Sequence, residues 1–197
     1  MISYAGRIHY LPAVWLGLTS AACMPRMTIQ DIADMRPPRA AQLDRLERLI
    51  GEWETEGEVR MAVLDQPLTA TGRSTARWTL DRRFLMEEAE LDMGDLGRVS
   101  GTSIWSYDAA IGKYRLWWFD SLGETSESVI TYDEKSDAFF MRTRGRKYGY
   151  ATTGRGTLRH VDENTLAWTW KEFDGMGLIE LADMKGVSRR RKAPETK

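Results

Sequence analysis

The sequence predicts an all-β protein: an antiparallel up-and-down barrel of about ten strands, calycin-like in outline, with one short helix before the first strand. From residue 51 to residue 190, short runs rich in Thr, Val, Trp, Phe and Tyr alternate with polar clusters, at roughly the 8–14-residue spacing of all-β domains. No second helical pattern separates the runs, which disfavours parallel βαβ units. A sheet of this many strands closes on itself and so removes its exposed edges.

One helix is predicted over residues 39–50. Its apolar side chains recur at helical spacing: Leu43, Leu46, Leu49 and Ile50. Gly51 follows them in the position of a C-terminal cap, and Pro37-Pro38 before the helix indicates a linker. We therefore expect an N-terminal segment, one barrel domain and a short tail: residues 1–38, 39–192 and 193–197.

Nine polar clusters separate the predicted strands: residues 65–67, 81–83, 93–95, 108–112, 121–123, 133–137, 144–147, 162–164 and 174–177. In the first strand, Trp53, Val59 and the small residues between them share one face, while charged residues share the other. The inward side chains of the first two strands are apolar but small in the middle. This pattern favours an interior with room for a ligand; the alternative is an interior filled by large side chains from the opposite strands.

Composition excludes several classes of function. The net charge of -1 gives no overall basic field that would point to nucleic acid or an anionic membrane. The single cysteine, Cys23, rules out an internal disulfide and a cysteine-rich metal site. The sequence contains no dinucleotide fingerprint and no phosphate loop. We expect no metal, no cofactor and no nucleic-acid partner.

The first residues allow two interpretations. The apolar run of residues 10–22, which precedes Cys23, is typical of a secretory or lipoprotein signal, and it is too short to span a bilayer. Under that interpretation the protein is exported or is lipid-anchored through Cys23. We favour the other interpretation, a cytoplasmic protein with a dispensable leader.

Five segments resemble the bacterial domain-of-unknown-function family 1579: 46-LERLIGEWETEGEVR-60, 72-GRSTARWTLDRRFLMEE-88, 112-GKYRLWWFDS-121, 154-GRGTLRHVDENTLAWTWKEFD-174 and 185-KGVSRRRK-192. The resemblance implies a calycin-like barrel, similar to lipocalins, fatty-acid-binding proteins and nitrobindins, and a tendency to bind ligands. It also implies that Gly51 and Trp53 open the first strand, with the ring closing the barrel floor beneath Arg189 or Arg190 of the last strand. That contact is a cation–π pair worth roughly 0.5–2 kcal/mol.

The acidic pair Glu87-Glu88 lies in the middle of a predicted strand. Consecutive strand residues point to opposite faces, so one of the two carboxylates faces inward. Arg77, Arg115 and Arg142 are candidate partners, because an unpaired buried charge is costly. We weigh a structural salt bridge against a ligand-facing acid with a raised pKa.

Tryptophans are the candidate walls of a pocket. One ring of Trp117-Trp118 is expected to face inward, and Trp168 and Trp170 share a face that suits an apolar pocket. Packing in the core is the alternative for each ring. We expect the ligand to be bound by Trp78, Glu88, Arg115, Trp117, Trp168 and Trp170. The outward rings favour a homodimer.

His160 is predicted to be solvent-exposed at the end of a strand. Nitrobindin-type barrels hold haem through a histidine, so the resemblance offers a haem ligand at His160 as the less favoured alternative. The barrel segment has no second histidine or cysteine to complete a zinc site.

These features favour a carrier or sensor, in which the barrel holds an apolar or amphipathic small molecule. One alternative is an isomerase- or cyclase-type enzyme that uses Glu87 or Glu88 as its acid or base. The other is a structural or interaction domain whose barrel is filled by side chains.

Overall fold

The computed structural model describes residues 27–35 and 37–191. Contacts divide the chain into two units, residues 1–38 and residues 39–197. The described residues of the first unit form one helix, α1 (Ile29–Asp34). The signal or lipoprotein features expected around Cys23 lie outside the described residues, as does the tail of residues 193–197. No helix in the described part of the chain is long and apolar enough to cross a bilayer.

The second unit is a closed antiparallel barrel of ten strands, as the sequence predicts. The strands are β1 (Gly51–Met61), β2 (Leu68–Thr79), β3 (Phe84–Asp92), β4 (Arg98–Asp108), β5 (Lys113–Asp120), β6 (Thr125–Asp133), β7 (Ala138–Lys147), β8 (Tyr150–Asp162), β9 (Thr165–Asp174) and β10 (Glu180–Arg190). Each strand pairs with its neighbours in sequence, and β1 pairs with β10 to close the barrel. Closure gives every strand two partners, so these strands present no unpaired edge.

The helix before β1 is a 3-10 helix (Ala41–Leu49) and not an α-helix. Leu43, Leu46 and Leu49 recur every three residues, which is the period of a 3-10 helix, and all three are buried. They pack with Trp53 and Phe139 in the main hydrophobic cluster. The helix therefore covers one end of the barrel, the closed end. A second 3-10 turn (Gly94–Leu96) lies between β3 and β4 at the other end.

Gly51 does not act as the expected helix cap. The helix ends at Ile50, whose backbone is extended, and Gly51 is the first residue of β1 with a φ of 127°. A Cβ atom at this position would lie 2.5 Å from Nη1 of Arg190. Glycine is therefore needed both for the backbone conformation and for the approach of the arginine.

The prediction of a turn at residues 144–147 is wrong. These residues continue β7, and the chain turns at Tyr148-Gly149, whose φ angles are 49° and 82°. Two central residues with positive φ are typical of the type I′ hairpin turn, which matches the twist of the flanking strands. The shift places Lys147 in β7, on the inward face that it shares with Phe139 and Thr143.

The two halves of the interior differ in burial. At the closed end the inward side chains form a dry core: Trp53, Leu85, Trp105, Ile130 and Phe139 are each less than 5% exposed. At the opposite end, the open end, the inward side chains of Glu87, Trp118, Trp168 and Trp170 stay partly exposed. Five hairpin loops surround the open end: residues 62–67, 93–97, 121–124, 148–149 and 175–179.

Candidate functional site

Three tryptophan rings lie against the inner wall of the open half. Each ring lies over one or two glycines of nearby strands: Trp168 over Gly57 and Gly186, Trp170 over Gly154 and Gly156, and Trp118 over Gly101. A Cβ at position 57 would lie 2.9 Å from the Trp168 ring, so glycine lets that ring approach the backbone. All three side chains point inward and stay partly exposed. We call these three rings the aromatic wall of the open half.

Three charged side chains meet at the open end, and we name them the mouth cluster: Glu124, Lys147 and Glu172. Nζ of Lys147 lies 3.2 Å from Oε2 of Glu172 and 3.6 Å from Oε2 of Glu124. The Lys147 side chain is 24% exposed, and the two glutamates are 15% and 13% exposed. Oε1 of Glu124 is buried and accepts no hydrogen bond from the described residues.

The mouth cluster holds more negative than positive charge. Burial raises the pKa of Glu124, although Lys147 opposes the rise. Burial by itself would lower the pKa of Lys147, but Glu172 and Glu124 outweigh it and the pKa is raised. The ammonium therefore stays charged, and two carboxylates share a single positive partner.

Glu87 is the inward member of the acidic pair. It lies opposite Ser103 in the register of β3 and β4, and the Ser103 hydroxyl donates to Oε2 of Glu87 over 3.2 Å. Glu88 lies on the outer face, where Nη1 of Arg77 donates to its Oε2 over 2.6 Å. Each residue therefore fits one of the two interpretations. Glu88 forms a surface salt bridge, and Glu87 is the acid that faces the interior.

The expected inward placement of Glu88, Arg115 and Trp117 is not observed, because all three point outward. Arg115 pairs with Glu127, whose Oε1 lies 3.3 Å from its Nη1. The same Glu127 is the neighbour of Trp117 across β5 and β6. A polar groove of about 650 Å³ runs along the outer face from β2 to β5, and Glu88 lines it.

Trp118, and not Trp117, is the inward ring of the pair, since it lies opposite the buried Ser103. The sequence around β5 contains no alternation that separates the two, because both of its faces carry aromatic rings. The outward rings of Trp117, Phe119 and Phe140 lie beside Glu127, Thr125 and Thr131 respectively.

Trp78 is inward but belongs to the closed end. Its Nε1 donates to Oε1 of Glu47 in the 3-10 helix over 3.0 Å, and Arg39 stacks 5.0 Å from its ring centre. Trp78 therefore helps to hold the helix, and it lies away from the aromatic wall. The sequence pattern assigns its face correctly but cannot tell which end of the barrel the helix covers.

The barrel floor contains the contact that the resemblance implies. Arg190 lies over Trp53, with its guanidinium carbon 4.3 Å from the ring centre. Its Nη2 donates to the carbonyl oxygen of Arg48 over 2.8 Å. Arg189, the other candidate, is exposed on the outer face and approaches Glu56.

The prediction that His160 is solvent-exposed is wrong, because its side chain is only 3% exposed. Nδ1 lies 3.2 Å from Oδ1 of Asp137, which also accepts from the Tyr132 hydroxyl over 2.7 Å. Burial, followed by the charge of Arg48, lowers the pKa of His160, so the neutral ring donates from Nδ1. Burial and the Asp137 carboxylate raise the pKa of Tyr132 to about 12. Nε2 is buried without a partner among the described residues.

No cofactor site can be assigned from these contacts, and the expected absence of haem at His160 stays a prediction. Across residues 27–35 and 37–191, no three His, Cys, Asp or Glu side chains meet in a group that suits a metal ion.

Sequence reasoning missed the mouth cluster. The sequence pattern predicts Lys147 in a turn, and Glu124 follows a predicted turn, so the pattern places neither residue on an inward face. A usable signal exists for Glu172, because it lies two residues after Trp170 and therefore shares the inward face of β9.

Two solved structures share the fold. The crystal structure of Rv2717c from M. tuberculosis is 17% identical, with a TM-score of 0.60, and the match covers 79% of this chain and 100% of that one. The S-type phycobiliprotein lyase CPES from Guillardia theta is 12% identical, with a TM-score of 0.54, and the match covers 79% of this chain and 95% of that one. At such identities the likeness concerns the fold alone. No curated protein sequence matches the chain significantly.

The sequence profile of one family matches most of the chain, from residue 39 to residue 178. This range includes the helix, the floor residues Gly51 and Trp53, and nine of the ten strands. Four of the five quoted segments lie within this range, and the resemblance to the family is thereby confirmed. The protein belongs to the family described as Protein of unknown function (DUF1579).

Proposed function

We propose that the barrel is a carrier or sensor that takes an amphipathic small molecule into its open half. The observation that carries this proposal is the difference in burial between the two halves. Inward rings at the closed end, such as Trp105 and Phe139, are almost completely buried, whereas the inward rings Trp118, Trp168 and Trp170 at the open end stay partly exposed. Partly exposed rings beside a few polar groups are the usual composition of a ligand site.

The mouth cluster suits the polar end of such a ligand. Glu87, Glu124 and Glu172 face the interior of the open half together with one cation, Lys147. A ligand end that donates hydrogen bonds or carries positive charge would offset this excess of carboxylate. An anionic end would add to it. The proposed ligand therefore has a flat apolar body, which lies on the tryptophans, and a cationic or hydrogen-bond-donating end.

Isothermal titration calorimetry with naphthylmethylamine, naphthylmethanol and naphthoate tests the proposal. The three probes share one aromatic body and differ only in the charge of the polar end. We expect the amine to bind more tightly than the alcohol, and the alcohol more tightly than the carboxylate. Binding of none of the three would overturn the ligand-binding proposal.

Two neighbouring tryptophans provide a matched control. Trp118→Leu removes a ring from the interior, so we expect the affinity for naphthylmethylamine to fall about tenfold. Trp117→Leu removes a ring of equal size from the outer face of the same strand, and we expect no change. An equal loss for both variants would mean that the probe binds elsewhere.

An enzymatic function is the alternative, and the inward carboxylate of Glu87 favours it. A carboxylate beside aromatic walls can transfer protons, and the neighbour from Guillardia theta is named a lyase. The test is the isomerisation of a β,γ-unsaturated ketone, followed by the absorbance of its conjugated product. We would conclude that the protein is an enzyme if the wild type and Glu88→Gln turn over the ketone and Glu87→Gln does not.

We also propose, separately, that two copies of the chain form a homodimer through the aromatic rings on the outer face. Phe119 and Phe140 are 46% and 43% exposed. Sedimentation velocity of the protein and of its Phe119→Ser variant tests it. A dimer that the substitution converts to monomer supports the proposal, and a monomeric wild-type protein contradicts it.

A further inference from the structure

Six large apolar side chains project from three neighbouring hairpin ends at the open end of the barrel, and we name this group the apolar crest: Val63, Tyr148, Tyr150, Met176, Leu178 and Ile179. Each is at least 61% exposed. Their loops are adjacent because β10 lies between β1 and β9, and β9 pairs with β8. Clustered exposed apolar side chains on one edge of a protein mark a contact surface.

Hydrogen bonds within the loops hold the side chains of the crest in exposed positions. Oδ1 of Asp174 accepts hydrogen bonds from the backbone N–H groups of Leu178 and Ile179 over 2.6 and 3.0 Å. These bonds fix the β9–β10 loop while its apolar side chains point away from the barrel. Tyr148 is the first residue of the tight Tyr148-Gly149 turn and Tyr150 follows that turn directly, and both side chains are exposed.

Four arginines lie on the outer face of the β7–β8 hairpin that ends in the crest, and we name them the arginine face: Arg142, Arg144, Arg146 and Arg155. Arg142 and Arg155 are direct neighbours across the two strands. All four are exposed, and none pairs with a carboxylate of residues 27–35 or 37–191. Arg146 donates to the carbonyl oxygen of Gly149, and Arg155 stacks over a phenylalanine ring.

The local charge of this hairpin contrasts with the net charge of -1 for the whole chain. Glu127 lies opposite Arg144 in the register, but its carboxylate is held by Arg115. On the other side, Lys171 lies opposite Arg155 and pairs with both Glu180 and Asp183, so this group contributes no positive charge. The outer face of the β7–β8 hairpin is therefore positive, although the protein as a whole is not.

We propose that the apolar crest and the arginine face dock the open end of the barrel on an anionic lipid bilayer. Arginines contact lipid phosphates, tyrosines lie at the level of the headgroups, and aliphatic loop tips enter the edge of the hydrocarbon region. A lipid surface fits better than a folded partner because the apolar groups stand on three separate hairpin tips, each exposed to solvent. Docking would also place the barrel mouth at the membrane, where amphipathic molecules are concentrated.

Cosedimentation with lipid vesicles tests the proposal on the full-length chain. We expect binding to phosphatidylcholine vesicles that contain phosphatidylglycerol, much weaker binding to pure phosphatidylcholine, and release at high salt. Replacing Arg142, Arg144 and Arg146 together by glutamine should weaken binding about 100-fold, given the usual attraction of each arginine to an anionic surface. Replacing Met176, Leu178 and Ile179 together by serine should weaken it at least tenfold.

Two control variants match these changes. Leu80→Ser with Ile111→Ser removes exposed apolar side chains from the closed end, where they are 68% and 49% exposed. Replacing Arg73, Arg77 and Arg189 by glutamine removes the same charge from the outer faces of strands away from the crest. We expect both controls to bind vesicles as the wild type does.

Three results would overturn the proposal. They are a lack of binding to phosphatidylglycerol vesicles, an equal loss of binding in the control variants, and binding to polyglutamate-coated beads without binding to vesicles. The last result would identify the partner as an acidic protein. None of them depends on whether the barrel binds a naphthalene probe, so docking and ligand binding are tested separately.

Discussion

The guanidinium of Arg190 lies 4.3 Å over the ring of Trp53 and joins the last strand of the barrel to the first. Its Nη1 and Nη2 donate to the carbonyl oxygens of Ile50 and Arg48, at the end of the 3-10 helix. One side chain thus ties together the closing strand pair and the helix that covers the closed end. Satisfying carbonyls that a helix end leaves free is a common role of arginine.

Arg190→Ala removes all these contacts at once. We expect the free energy of unfolding to fall by about 2–4 kcal/mol, from the lost cation–π contact and the unsatisfied carbonyls. Urea denaturation followed by tryptophan fluorescence measures the change. Arg189→Ala, on the exposed outer face, should cost less than about 0.5 kcal/mol. Equal losses would show that Arg190 has no special role in closure.

Gly101→Ala should displace the Trp118 ring, because the three atoms nearest to a Cβ at this position all belong to that ring. We expect a loss of stability of about 1–3 kcal/mol for the single variant. In the Trp118→Leu background the same change should cost much less, since the obstructing ring is gone. A double-mutant cycle by urea denaturation measures this coupling. Additive effects would contradict the contact.

Lys147→Met leaves the carboxylates of Glu124 and Glu172 without their shared cation. We expect a loss of about 1–3 kcal/mol near neutral pH. The pKa of Glu124 is raised, so this carboxylate takes up a proton early as the pH falls, and the loss should shrink in acid. Thermal unfolding across a pH series measures both effects. Lys185→Met, on an exposed lysine of the outer face, serves as control and should show neither.

The free energy of unfolding should decrease as the pH is lowered, because His160 resists protonation in the folded protein. Burial lowers the pKa of His160 in the folded protein. Below about pH 6.5, the unfolded chain therefore binds a proton at His160 that the folded protein does not yet bind. The free energy of unfolding then decreases by at most about 1.4 kcal/mol per pH unit. Urea denaturation between about pH 7.5 and pH 5 measures the slope. His160→Gln cannot titrate, so an unchanged slope in that variant would contradict the assignment.

The fold could be predicted because it depends on patterns that repeat along the whole chain. Polar clusters mark eight of the nine hairpin turns near their observed places, and alternation assigns the inward faces of β1 and β2 correctly. The ninth turn was misplaced because Arg and Gly at residues 144–147 resemble a loop, while Tyr148 is an unusual residue for a turn with positive φ.

The sequence by itself determined that the chain forms ten antiparallel strands with a helix before them, that Trp53 opens the first strand, and that one of Glu87 and Glu88 faces inward. Only the tertiary structure decided which of each adjacent pair is inward, since β3 and β5 carry similar residues on both faces. It also decided that Lys147, Glu124 and Glu172 meet. Those three residues belong to different strands or loops, and their contact depends on barrel closure, a long-range property that no local pattern encodes.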